Sequence, residues 1–306
     1  MNEAIEKTDG VTVEVADLIN VRGNISGMSL KRIRHRTTRN SGTRQTRIRG
    51  RGMEYEESRA YVPGDDVRTM DWRVMARTGE AHTKVFTQEK ERTVVLVVDL
   101  SPSMFFGTRY AMKSWSAAQV TAHIGWLAIQ AGDRLGGLVA SASAHYEIRP
   151  KKTSSNLMRV FHHLAQECNV ELPVENGPSR LNFILGEVRR VIKPGTIIIL
   201  MSDLLGVDEQ TPVLMSSLVR HNDLMTFWIH DRTEIHLWPQ GRYQILSDNQ
   251  EVALDLGVSS SKSWLDDQQR THRLSIEKLT SKFNIRLCPI SCNQDITPQL
   301  VQYLRK

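Results

Sequence analysis

The sequence predicts an α/β fold: an open, mostly parallel sheet with helices on both faces, preceded by an irregular polar N-terminal segment. From residue 91 onward, apolar runs rich in β-branched residues alternate with helical runs, the order that builds such a sheet. The apolar runs are nearly continuous, which marks strands buried on both faces. A chain of 306 residues with 40% hydrophobic and 24% charged residues is globular in composition and long enough for a sizeable core.

Residues 11–30 are expected to form one helix, 31–52 a basic loop, and 53–90 a compact segment rich in Arg and Asp. Strands are expected at 93–99 (TVVLVVD), 134–140, 195–202 (GTIIILMS), 224–230 (LMTFWIH) and 285–290. Helices are expected at 111–131, 155–166, 181–192, 212–221, 262–283 and 298–305, with joins such as Gly132-Asp133 and Pro194-Gly195 between elements. Residues 233–257 break the alternation. Their Pro239-Gln240-Gly241 and Ser247-Asp248-Asn249 turns predict a β-hairpin inserted before the long helix. The chain thus divides into 1–52, a segment at 53–90 packed on the core, and an α/β domain over 91–306.

The net charge of +6 is local in origin. Residues 31–51 hold nine Lys or Arg and no acid, leaving 31 basic against 34 acidic residues elsewhere. Without interleaved aromatics this arm reads as a solvated lead-in, and nucleic acid is not the expected partner. Residues 114–132 are uncharged, but Gln119, Thr121, His123 and Gln130 make them too polar for lipid, so a buried helix and no membrane span are expected. The N-terminus lacks signal-peptide character, and three cysteines, an odd number, suit a reducing compartment, which predicts a cytoplasmic protein.

The 93–99 strand runs into Asp99-Leu100-Ser101-Pro102-Ser103, and the 195–202 strand into Ser202-Asp203. Ligands bind beyond the carboxyl ends of strands in open α/β sheets, so both carboxylates are delivered to the functional edge. Ser179, ahead of the 181–192 helix, offers a third hydroxyl. Asp99, Ser101, Ser103, Ser179 and Asp203 form an oxygen-only donor set, suited to Mg²⁺ or Mn²⁺ and unsuited to Zn²⁺. Helix capping by the serines is the plain alternative.

This Asp99-x-Ser101-x-Ser103 pattern, with Ser179 and Asp203, resembles the metal-ion-dependent adhesion site of von Willebrand factor A domains, although those domains usually carry Thr at the Ser179 position. Arg59-x-Tyr61-x-x-Gly64-Asp65-Asp66-x-Arg68-x-x-Asp71-Trp72-x-x-x-Ala76-Arg77, followed by Glu89 to Arg92 and Asp99 to Met104, resembles the bacterial family of domain of unknown function fifty-eight. Members are often encoded beside MoxR-type AAA+ ATPases. The resemblance implies a non-enzymatic, metal-dependent interaction module, an adaptor for such an ATPase in assembly or cofactor insertion, with a protein client that offers a carboxylate. No small-molecule substrate is expected. Two other readings stand beside it: a Mg²⁺-dependent hydrolase, and a nucleic-acid-binding accessory protein acting through 31–51.

Residues 54–77 mix six acids with four arginines, which predicts an ion-pair network rather than an acid/base pair of Asp65 and Asp71, with Trp72 as an anchor on the core. Cys288 and Cys292 read as core thiols, and Trp126, Trp228 and Trp264 as core aromatics. No phosphate-binding Gly-rich loop is present in the sequence.

Overall fold

The computed structural model describes residues 9–30, 53–88, 92–169, 180–235, 238–247 and 250–305. Its elements are α1 (Val15–Asn20), β1 (Met53–Ala60), α2 (Trp72–Thr78), β2 (His82–Gln88), β3 (Thr93–Leu100), α3 (Lys113–Gln130), β4 (Arg134–Ser141), β5 (His145–Lys151), α4 (Ser154–Cys168), α5 (Leu181–Val191), β6 (Thr196–Ser202) and α6 (Thr211–Val219). The series continues with β7 (Asp223–His230), β8 (Arg242–Ser247), β9 (Gln250–Asp255), α7 (Ser259–Phe283), β10 (Arg286–Ser291) and α8 (Ile296–Leu304). Two compact units result, one of residues 1–40 with 92–306 and one of residues 41–91.

The larger unit is built on a six-stranded sheet ordered β10-β7-β6-β3-β4-β5. All neighbours are parallel except β5, which runs antiparallel to β4. Alternate residues of β3 face opposite layers: Val94, Leu96 and Val98 join one core cluster, and Val95 and Val97 the other. β6 does the same with Ile197, Ile199 and Met201 against Ile198 and Leu200. Helices α3 and α4 cover the first face, and α5, α6 and α7 the second. Each buried Val, Ile or Leu contributes about 1.5–3 kcal/mol of transfer free energy, which is why such runs become central strands.

α3 is buried from Lys113 through Ala128. Gly125 lets it lie against α4, since a Cβ there would sit 2.3 Å from Leu157 Cδ1. Trp126 Nε1 donates to the Leu18 carbonyl at 3.0 Å, and Val13, Leu18, Met28 and Leu30 belong to the same core cluster. The N-terminal stretch is therefore part of the fold. It is not the single helix expected over 11–30: α1 stops at Asn20, a 3-10 turn follows to Asn24, and Gly27 at φ 83° turns the chain. The basic stretch at 31–52 lies outside the described residues.

β8 and β9 pair as the antiparallel hairpin between β7 and α7. Trp126 and Trp228 are buried, but Trp264 is 55% exposed, because α7 buries only Ile276, Leu279 and Thr280. Cys168, Cys288 and Cys292 are free and buried. Among the described residues no helix is long and apolar enough to cross a membrane.

In the smaller unit β1 and β2 form an antiparallel pair, with an irregularity between Tyr55 and Glu57. Arg59 pairs with Asp65 at 2.7 Å. Asp71 instead accepts from Ser58 Oγ at 2.8 Å and caps α2 through the Arg73 and Val74 N–H groups. These hydrogen bonds hold both Asp65 and Asp71 below the usual carboxylate range, the behaviour of structural acids. Trp72, expected as a buried anchor, is 62% exposed: it opens α2 as its first residue, and this short helix buries none of its residues.

Candidate functional site

The strand order reverses between β3 and β6, which lie side by side at the centre of the sheet although β4 and β5 come between them in the chain. A crevice outside the carboxyl ends of strands at such a reversal is the ligand site of open α/β sheets. Asp99 stands at the end of β3, and Asp203 directly follows β6.

Both carboxylates are buried. Asp99 Oδ1 accepts from the Ser101 N–H at 2.9 Å and from the Ser101 hydroxyl, while Oδ2 accepts from Ser202 Oγ at 2.7 Å. Asp203 Oδ1 accepts from the Leu205 N–H at 3.0 Å, and the Ser103 hydroxyl lies close enough to the same carboxylate to help lower its pKa. Lys113, 1% exposed, places its Nζ 2.9 Å from Asp203 Oδ2 and 2.5 Å from Glu234 Oε1. His272 of α7 is half-buried beside this cluster, and burial pulls its imidazole below the usual range against the opposing Asp203 charge. Leu204, buried in the apolar layer with Leu185 and Met215, has φ 55°, a left-handed conformation costly for a branched side chain; the Leu204 N–H donates to Ser202 Oγ at 2.9 Å.

Four of the five residues singled out in the sequence, Asp99, Ser101, Ser103 and Asp203, thus gather at one edge. Ser179 lies outside the described residues. Lys113, Glu234 and His272 were not foreseen. Lys113 carried a signal, being a lone charge opening a helix with no other, whereas Glu234 and His272 reach the cluster from distant elements.

Burial and the adjacent Asp203 charge push the Asp99 carboxyl above the usual range. Burial acts on Asp203 in the same direction, but the Lys113 ammonium outweighs it and holds Asp203 below its ordinary value. Burial alone would lower Lys113; Asp203 and Glu234 reverse that and keep the amine protonated. Two carboxylates, Asp203 and Glu234, therefore share one ammonium, and no ion pair reaches Asp99 among the described residues. No three His, Cys, Asp or Glu side chains cluster as metal ligands among those residues. The donors are carboxylate and hydroxyl oxygens with surplus negative charge, which fits a hard divalent cation, while Lys113 already neutralises part of Asp203.

A second buried acid organises the loops of this edge. Asp231 accepts from Thr108 N at 2.9 Å, Thr233 N at 2.8 Å and Asn293 Nδ2 at 2.9 Å, and shares a capping box with Glu234. Burial would raise its pKa, but these donors outweigh it and bring the carboxyl to about 2. A depressed carboxylate contributes stability above its unfolded value, 3.8, that is lost as pH falls through the folded value. Asp231→Asn should therefore cost about 1–3 kcal/mol at pH 7, and much less at about pH 2, in urea unfolding. A cost independent of pH would show that the charge is irrelevant there.

The family model described as "Protein of unknown function DUF58" matches residues 57–274. Uncharacterized protein Rv1480 of Mycobacterium tuberculosis and uncharacterized protein Mb1516 of Mycobacterium bovis are each 28% identical over 262 residues, covering 84% of this chain and 80% of the relative. Among solved structures, the conserved hypothetical protein BatB from Bacteroides thetaiotaomicron aligns at 10% identity and TM-score 0.37, over 62% of this chain and 99% of that one. An aerotolerance-related membrane protein from Bacteroides fragilis aligns at 12% identity and TM-score 0.39, over 61% of this chain and 99% of that one.

Proposed function

The chain belongs to the DUF58 family, and from that premise we propose that it is a cytoplasmic, non-enzymatic interaction module whose binding centre is the ion cluster at the carboxyl edge of its sheet. The observation that carries this reading is the gathering of Asp99, Asp203, Ser101 and Ser103 at the strand-order reversal, with more negative charge than Lys113 neutralises. The neighbouring groups are not arranged as an activated nucleophile. The Ser101 and Ser202 hydroxyls donate to Asp99, and Lys113 is held as an ammonium.

Mg²⁺ or Mn²⁺ is the ion this donor set suits. Ser101 and Ser103 would hold it, Asp99 and Asp203 would bind directly or through water, and Ser179, outside the described residues, is the remaining donor of the expected set. Such an ion supplies positive charge for a carboxylate of the partner. Asp99 and Ser202 orient the Ser101 side of the site, and Lys113 fixes Asp203 from within. The resemblance to this family, with its gene neighbours, points to a MoxR-type AAA+ ATPase as partner and to assembly or cofactor insertion as the setting.

A second reading rests on the Lys113–Asp203 pair: the ammonium is the resident cation, and partner binding needs no metal. A titration of the purified full chain with Mn²⁺, followed by electron paramagnetic resonance, separates the two. Saturable binding lost in a Ser101→Ala/Ser103→Ala variant, with ATPase association abolished by EDTA, is the expected result. Association undiminished in EDTA transfers the role to the lysine.

A further inference from the structure

A cleft of about 640 Å³ opens at the opposite, amino-terminal edge of the sheet, between the end of α5 and β5. Thr93, Arg134 and Thr196, the first residues of β3, β4 and β6, lie along it. Its floor is apolar, made by Val95, Leu138, Val188 and Ile192. Its walls carry Arg134, Arg149, Lys151, Arg190 and Lys193, against Glu147 as the one acid among the described lining residues.

Glu147 is shared between Arg190 at 3.6 Å and Arg149 at 4.0 Å, and Arg190 also holds Glu187 at 2.7 Å. Lys151 and Lys193 have no ion pair among the described residues. Basic side chains in the last turn of α5 complement that helix's dipole, which accounts for Arg190. It does not account for Arg134, Arg149 and Lys151, which come from the sheet. Gathered around an apolar floor, these exposed charges raise a local positive potential that draws an anion.

We propose that this cleft binds a phosphate ester carrying an apolar body. Guanidinium and ammonium groups on the walls match a multiply charged phosphate, and the Val95–Val188 floor matches the body attached to it. The volume lies within the range of small-ligand sites, roughly 300–1,000 Å³. A stable protein interface needs about 800 Å² per partner, more than the walls of this cleft present. The site is distinct from the ion cluster and does not depend on a metal.

The full chain titrated calorimetrically with ADP or inorganic pyrophosphate, and floated with phosphatidylglycerol or phosphatidylcholine vesicles, tests this. Saturable binding of ADP indicates a soluble phosphate ester, and binding confined to phosphatidylglycerol vesicles indicates a lipid phosphate. Either supports the site, provided that Lys151→Ala/Lys193→Ala weakens it at least about tenfold while Lys278→Ala, on exposed α7 surface, does not. Circular dichroism melting confirms that the variants fold. Absence of saturable binding to any probe, or equal binding by the double variant, overturns the site. Pyrophosphate binding as tightly as ADP overturns the role of the apolar floor.

Discussion

Lys113→Met should lower the stability of the protein by about 3–5 kcal/mol at pH 7, a fall in Tm on the order of 10 °C. The lysine is buried between Asp203 and Glu234, so its removal strands Asp203, a buried acid, without its counter-ion. Lys113 holds Asp203 below its ordinary value, and that contribution is complete above the unfolded carboxylate value, 3.8, and lost as pH falls through the depressed one. The difference between wild type and variant should therefore narrow below about pH 4. Millimolar Mg²⁺ should restore part of the loss, because a divalent ion can supply the missing charge. Guanidinium unfolding of both proteins with Mg²⁺ and with EDTA measures each effect. A Lys113→Met variant as stable as wild type would show that the ammonium does not hold the cluster.

Asp99→Asn should act in the opposite sense on stability and strongly weaken ion binding. Burial and the Asp203 charge raise the Asp99 carboxyl, so its ionised form is unfavourable in the folded state. Asn retains an acceptor for the Ser101 N–H and can donate to Ser202 Oγ, which already accepts from Leu204. We expect a gain of about 1 kcal/mol at pH 7 that vanishes as pH falls to about 4, where the unfolded carboxyl also takes up its proton. Mn²⁺ affinity should fall by about a hundredfold or more, since second-shell and ligand carboxylates of metal sites carry effects of that order. Unchanged Mn²⁺ affinity in this variant would remove Asp99 from the site, whatever happens to stability.

The central strands were legible because β3, β6 and β7 are long apolar runs that only a doubly covered sheet can bury. β5 was missed. Its sequence, HYEIRPK, is polar on one face, carries Pro150 and sits at a sheet edge, where exposure removes the hydrophobic pattern. β1 and β2 were hidden for a related reason, since EYEESR and HTK are dominated by charge and hydroxyls. Asp99, Ser101, Ser103 and Asp203 could be read because each ends or follows a recognisable strand. The partners that set their charge could not: Lys113 and Glu234 are separated by 121 positions, and only the folded sheet brings them together. Trp264 was misread because an aromatic in an apolar-looking run says nothing about which side of a long helix it occupies.

The larger unit is discontinuous in the chain, and this governs the order in which it can form. Leu18 and Met28 pack in the core with Leu300 and Leu304, far along the sequence; the Ser29 N–H donates to the Leu304 carbonyl at 2.7 Å, and Met28 bridges Arg305. A nascent chain held by the ribosome until α8 emerges therefore cannot close this layer, and its α3 surface stays open to chaperones meanwhile. These contacts span nearly the whole sequence, which raises contact order and slows the final docking step. A chain begun at residue 92 would leave open the α3 and α8 surface that Leu18 and Met28 cover, an unfinished and sticky layer.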